Sequence, residues 1–199
     1  DNQDNFLVSD DNRVFVVADG MGGALGGATA SRLTVEAIGK SWEIGPVDLD
    51  DDEAIHEWLE QAVNTANDNV FSYSSEHPSV RGMGTTVVVA VQTDSRRIHI
   101  AHVGDSRAYL VREGQASLLT QDHSLVMELF RNGQINEQQM KDSPFKSYIT
   151  RCVGHRNRLE VDQSPRELQK GDWIILCTDG LTAVLSDEQI AEVVEATSD

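Results

Sequence analysis

The chain has 199 residues, which fits one domain of ordinary size or at most two very small ones. At 39% hydrophobic it can bury a real core, yet no apolar run approaches the ~18 residues of a membrane helix, and the first residues lack the basic and apolar segments of a signal peptide. Sixteen Lys and Arg against 33 Asp and Glu leave a net charge of −17, a surface that repels phosphate backbones and argues against nucleic acid.

In chain order, the apolar run at 14–18 predicts a strand that ends in Asp19-Gly20. A helix is expected over 29–40, with Ala30, Leu33, Ala37 and Ile38 on one face. The acidic cluster Asp48 to Glu53 precedes Ile55, Trp58, Leu59, Ala62, Val63, Ala66 and Val70, which recur at helical spacing. A helix from 54 to about 73 follows, and the acidic residues suit the positive end of its dipole. The cluster therefore reads as a cap rather than a metal loop. Strands at 85–93, 97–103 and 108–112 come in close succession with turn residues such as Asp94-Ser95 between them, which predicts an antiparallel meander. Short helices at 123–131 and 137–141, strands at 149–153, 159–163 and 173–178, and a helix at 187–195 capped by Ser186 or Asp187 complete the reading. Helices in blocks between hairpin-like strands mean α+β, not regular βα alternation. Cys152 and Cys177, the two cysteines, each sit in an apolar stretch. They read as core residues of a protein in a reducing compartment, hence cytoplasmic.

The chemistry points to four aspartates, each beside a strand end or tight turn next to a Gly or small residue: Asp4, Asp19, Asp105 and Asp179. Strand ends place carboxylates rigidly, and hard oxygen donors suit Mg²⁺ or Mn²⁺. The segments are poor in His and Cys, which argues against zinc. A lone Asp-Gly is usually only a turn. The bland reading of the net charge is solubility; the sharper one is that some carboxylates are neutralised by divalent cations.

Seven ordered motifs carry a family resemblance: Asn2-Gln3-Asp4-Asn5, Val16-Val17-Ala18-Asp19-Gly20-Met21-Gly22-Gly23, Met83-Gly84-Thr85-Thr86, Val103-Gly104-Asp105-Ser106-Arg107-Ala108-Tyr109-Leu110, Leu119-Thr120-Gln121-Asp122-His123-Ser124, Ile149-Thr150-Arg151-Cys152-Val153-Gly154, and Gly171-Asp172 through Asp179-Gly180-Leu181. Together they resemble the metal-dependent type 2C serine/threonine protein phosphatases in their bacterial form, over nearly the whole chain. The resemblance implies a four-layer α-β-β-α sandwich of two antiparallel sheets flanked by helices. It implies two divalent ions, Mn²⁺ or Mg²⁺, with a weaker third. Asp19 would bridge the two ions, Gly20 would offer its carbonyl to one, Asp179 would bind the second, Asp4 would hold cation-bound water, and Asp105 would belong to the third site. Asp19 and Asp179 are then the catalytic pair, holding ions rather than carrying protons, and a bridging water or hydroxide attacks phosphorus. The implied substrates are phosphoserine and phosphothreonine proteins of a Ser/Thr kinase, met by a monomer. The rival reading is a catalytically impaired phosphatase-fold domain that binds phosphoproteins.

The chain departs from the family pattern in places. The phosphate-binding arginine falls just before Asp1, and the late Asp-Asn pair falls after the helix at 187–195. The expectation is a single phosphatase domain, 1–199, trimmed at both ends. Met21 stands where eukaryotic relatives often carry a proton-donating histidine, and Ala24 and Ala28 stand where relatives have His and Glu. Ala183 replaces an aspartate, which weakens the third site. The flap at 142–151 carries Ser143, Lys146 and Ser147 in place of the usual polar trio. Arg107 reads as a structural ion pair, Asp122 as a turn and helix start, and His123 as a ligand or acid only in second place. The glycine pair Gly22-Gly23 makes room at the metal edge.

Overall fold

The computed structural model describes residues 2–45 and 47–197. The domain limits expected at 1 and 199 lie outside them. Among the described residues nine strands run in chain order: β1 Asp4–Val8, β2 Val14–Met21, β3 Gly84–Thr85, β4 Val87–Gln92, β5 Arg97–Val103, β6 Arg107–Arg112, β7 Gln115–Leu118, β8 Asp162–Glu167 and β9 Trp173–Cys177. The helices are α1 Ala24–Ile44, α2 Asp52–Glu76, α3 Leu125–Arg131, α4 Glu137–Lys141, α5 Asp179–Thr182 and α6 Asp187–Ala196. All strand pairings are antiparallel. One sheet has the order β1-β2-β4-β5-β8, with β3 attached to β2, and the second has the order β7-β6-β9.

Three separate apolar clusters define four layers. The first joins α1 and α2 (Ala30, Ile38, Leu59, Val63) to one face of the large sheet (Val14, Val16, Val89). The second lies between the sheets, with Val88, Ala90 and Ile100 facing Ala108 and Leu110. The third joins Tyr109, Val111 and Cys177 to Ile190 and Ala191 of α6. The run Val87–Val91 is apolar without alternation because β4 is buried on both faces. The order α-β-β-α is the expected fold class.

Several expected elements move. The meander fails after its second strand: β5 pairs with β4 and β8, while β6 leaves for the other sheet. The expected strand 85–93 breaks into β3 and β4. The stretch 149–153 is not a strand; it makes only isolated bridges, Ser124 to Ile149 and Thr85 to Val153. The strand expected at 159–163 starts at Asp162, and its Pro165 is tolerated because β8 is the edge strand beside β5 among the described residues. Helix α1 begins five residues before the expected 29. Asp51 caps α2, its carboxylate accepting from the Glu53 and Ala54 amides, so the acidic cluster is a cap.

Close backbone packing explains the early start of α1. A Cβ on Gly20 would lie 2.0 Å from the Gly27 carbonyl oxygen. Only a glycine at each position lets the first turns of α1 lie directly on the end of β2. Gly20 thus serves helix–strand approach.

Candidate metal centre and active site

Strand register brings the four aspartates to one end of the sandwich. In the large sheet, Asp4 is the direct partner of Asp19 across β1 and β2. In the small sheet, Arg107 is the partner of Cys177. Two residues further out along that antiparallel pair stand Asp105 and Asp179. The two sheet ends are tied together by hydroxyls. Thr178 Oγ1 donates to Asp4 Oδ2 at 3.1 Å, and the Thr86 and Ser106 hydroxyls lie 2.6 Å apart. Thr86 Oγ1 also accepts the Asp19 amide at 3.0 Å, and Thr85 Oγ1 donates to the Asp19 carbonyl at 2.7 Å. The Asp19 backbone is therefore held from both sides.

The electrostatics of this end are self-repelling. Burial, then the charges of Asp4 and Asp179, a hydrogen bond with Asp4 and the charge of Asp105 push the Asp19 carboxyl up to about 7. Burial, Asp122 and Asp179 push Asp105 up to about 6. Carboxylates gathered from distant parts of the chain into a partly dry edge resist full ionisation. A divalent cation relieves this repulsion, and the donor set, all hard oxygen, fits Mg²⁺ or Mn²⁺. Asp19, Asp179, Asp105 and the Gly20 carbonyl are the residues that would hold such ions. With its amide nitrogen turned inward, Gln3 donates to the Gly20 and Gly23 carbonyls at 3.2 and 3.0 Å. That fixes the Gly20 carbonyl and leaves it a second lone pair.

The other singled-out residues fall as follows. Arg107 is a structural ion pair: Nε and Nη2 reach Asp122 Oδ1 and Oδ2 at 2.9 and 2.6 Å, and Nη1 reaches the Tyr109 hydroxyl at 3.1 Å. Asp122 is consequently the anchor of Arg107 and not a helix start; Ser124 caps α3. Both cysteines are free and buried, and burial pushes each thiol up to about 11. Neither is a nucleophile at neutral pH. At Gly22 a Cβ would meet Met83 Cα at 2.9 Å, whereas a Cβ on Gly23 would meet nothing within 4 Å, so only the first glycine of the pair makes room for a neighbour. The flap places Phe145 and Tyr148 on the surface in an edge-on contact of 5.5 Å.

Sequence reasoning missed Gln3, Thr86 and Thr178, whose partners lie far off in the chain; the motifs containing them were the only signal. It also missed the role of His123, whose ring is buried and accepts from the Gly104 amide. Burial, then His102 and Arg151, push His123 down to about 4.

Known proteins match this chain in sequence and in fold. A family model described as Protein phosphatase 2C matches residues 1–198. The serine/threonine phosphatase stp of Listeria monocytogenes is 35% identical over 198 residues, 98% of this chain and 78% of that protein. The structure of the Streptococcus agalactiae serine/threonine phosphatase superposes with a TM-score of 0.88 at 36% identity, covering 98% of this chain and 80% of that one. The catalytic domain of the serine/threonine phosphatase PstP in complex with two manganese ions gives 0.83 at 31% identity, covering 98% and 78%.

Proposed function

We propose that this chain, because it belongs to the protein phosphatase 2C family, is a serine/threonine protein phosphatase that hydrolyses phosphoserine and phosphothreonine with two divalent cations at the Asp19 end of the sandwich. The observation that carries the reading is the convergence of Asp4, Asp19, Asp105 and Asp179 through two strand registers. Bound dications supply neutralisation of the phosphoryl oxygens and acidification of the attacking water. The chain's residues do the rest. Asp19, on β2, and Asp179, just after β9, would hold the ions. The Thr85 and Thr86 hydroxyls and the Gln3 amide fix the Asp19 and Gly20 backbone, so the donors are in place before the substrate arrives. Asp4, oriented by the Thr178 hydroxyl, would hold cation-bound water. Met21 offers no proton to the leaving alkoxide, and no protein nucleophile is needed, consistent with two protonated, buried thiols.

The substrates are phosphoproteins written by a Ser/Thr kinase, and we place the enzyme in the cytoplasm as a monomer. Two free cysteines support a reducing compartment. Among the described residues no helix is long and apolar enough to cross a membrane. Asp19, Asp105 and Asp179 are all present, which weighs against an impaired binding module. The deciding experiment measures phosphate release from a phosphothreonine peptide with Mn²⁺, with Mg²⁺ and with chelator. Release that is cation-dependent and lost in Asp19→Ala supports the reading. Equal release in chelator overturns it.

A further inference from the structure

One trio of ligand-type side chains among the described residues stands apart from the aspartate cluster. His102, His123 and Asp162 bring one ligand atom each within 4.8 Å of one another. The Arg151 guanidinium already stands among them, hydrogen-bonded to Asp162 Oδ1 and 3.2 Å from His123 Nε2. A side chain supplies the positive charge there, so the trio is not a further ion site.

Its purpose follows from the two nitrogens of His123. The Gly104 amide is a donor and lies 3.1 Å from Nδ1, so Nδ1 carries the lone pair. The ring proton then sits on Nε2, where Asp162 Oδ2 lies 3.3 Å away. The backbone repeats the grip, since the His123 amide donates to the Gly104 carbonyl at 2.9 Å. His102 stacks on the ring with centroids 4.8 Å apart. Gly104 needs that restraint. Its φ is +106°, and a Cβ there would meet Thr86 at 2.6 Å. Residue 105 follows directly. On its other side, His123 is tied to the flap: the Thr150 amide donates to the His123 carbonyl at 2.8 Å, and the Leu125 amide to the Tyr148 carbonyl at 2.9 Å.

We infer that His123 is a positioning residue: an Asp162–His123–Gly104 relay fixes the peptide that aims Asp105 at the cation cluster and joins it to the end of the flap. This rests on the reading of Asp105 as a cation-binding residue. The test uses the full chain with His123→Leu, His123→Gln and His123→Asn. Asn places its oxygen near the site of Nδ1 and keeps the Gly104 contact; Gln reaches only toward Asp162. In chelator, hydrogen exchange of the peptide over 103–108 should speed up by about tenfold in His123→Leu and His123→Gln, and stay near wild type in His123→Asn. In a Mn²⁺ titration, the ion lost in Asp105→Ala should weaken by about tenfold in His123→Leu, the tighter ions changing less than about twofold. Wild-type exchange in both His123→Leu and His123→Gln overturns the relay, as does faster exchange with all ions bound normally. If Asp105→Ala loses no ion, the reading of Asp105 falls, and exchange in chelator alone decides the relay. Should His123→Leu not fold, His123→Gln replaces it in both measurements, with faster exchange expected and unchanged exchange overturning the inference.

Discussion

Asp4 and Asp19 are direct partners across the β1–β2 ladder. Like charges directly opposite on a sheet are destabilising, so an unaided sheet would avoid this pair. Asp179 and Asp105, just beyond the paired ends of β9 and β6, add their charges at the Asp19 carboxyl. Removing the shared member should separate binding from folding. Asp19→Ala is expected to lower kcat/KM on a phosphopeptide by at least about 1,000-fold while the circular dichroism spectrum stays native. Mn²⁺ titration should show both tight ions weakened together. Loss of only one ion would mean that Asp19 does not bridge.

The raised pKa values make cation binding proton-linked. With Asp19 pushed up to about 7 in the metal-free protein, against 3.8 for an unperturbed aspartate, cation binding there must displace its proton below neutrality. Apparent Mn²⁺ affinity should fall as pH drops from about 8 to about 5.5, and calorimetry in buffers of different ionisation enthalpy should count protons released in that range. Stability carries the matching sign. A carboxyl whose folded pKa lies above its unfolded value favours the fold below the unfolded pKa, and that contribution disappears as pH rises through the folded pKa. Asp19→Asn should therefore raise the Tm of the chelated protein at about pH 8 and leave it unchanged at about pH 4. Comparing variant with wild type cancels the opposite effect of the buried, neutral His102 and His123. No gain at the higher pH would contradict the crowding argument.

Much of this was legible in the sequence, and the failures share a cause. Strands with apolar runs, α2 with its capped acidic start, and the positions of Asp19, Asp105 and Asp179 follow from local pattern. The strand β1 was hidden because it opens on polar residues and leaves Phe6 77% exposed. The stretch 149–153 looked like a strand because its buried residues pack between neighbours without forming a ladder. The start of α1 was masked by Gly26 and Gly27, poor helix formers; Gly27 is there for close approach to Gly20 of β2, and Gly26 lies against Met83. The supports of the site, such as Thr178 to Asp4 and His123 to Gly104, depend on which distant strands become neighbours, and no local pattern carries that.

Backbone proximity makes Gly20 intolerant of a single methyl group. Gly20→Ala would drive Cβ into the Gly27 carbonyl, where the contacting atom is helix backbone with little freedom to yield. A loss of about 3 kcal/mol in urea unfolding is expected, with activity falling as the metal edge distorts. Gly45→Ala is the control, since nothing lies within 4 Å of a Cβ there and its φ is −149°. Comparable losses in the two variants would show that packing of α1 on β2 is not the constraint.

Arg107 and Asp122 form a forked pair with side chains 28% and 12% exposed. Removing the guanidinium strands a largely buried carboxylate and frees the Tyr109 hydroxyl. Arg107→Ala should cost about 2–4 kcal/mol in chemical denaturation. Asp122→Asn combined with it should recover part of the loss, since the stranded charge is then gone. Additive losses in that double-mutant cycle would show that the pair is not coupled.

The cysteines offer the sharpest separation from phosphatases that form a phosphocysteine. Each thiol is buried and pushed up to about 11, so at neutral pH the thiolate fraction is negligible. Cys177 packs against Ile190 and Ala191 of α6, two residues before Asp179. Cys177→Ala should cost about 1–2 kcal/mol through lost packing while kcat on an aryl phosphate stays within about threefold. Iodoacetamide at neutral pH should leave the folded enzyme active. Cys152→Ala should behave the same way, because Cys152 too is packed inside and makes no contact that the chemistry requires. A stable Cys177→Ala protein without turnover, or one trapping phosphate on sulfur, would put a thiol in the reaction and displace the water-attack mechanism.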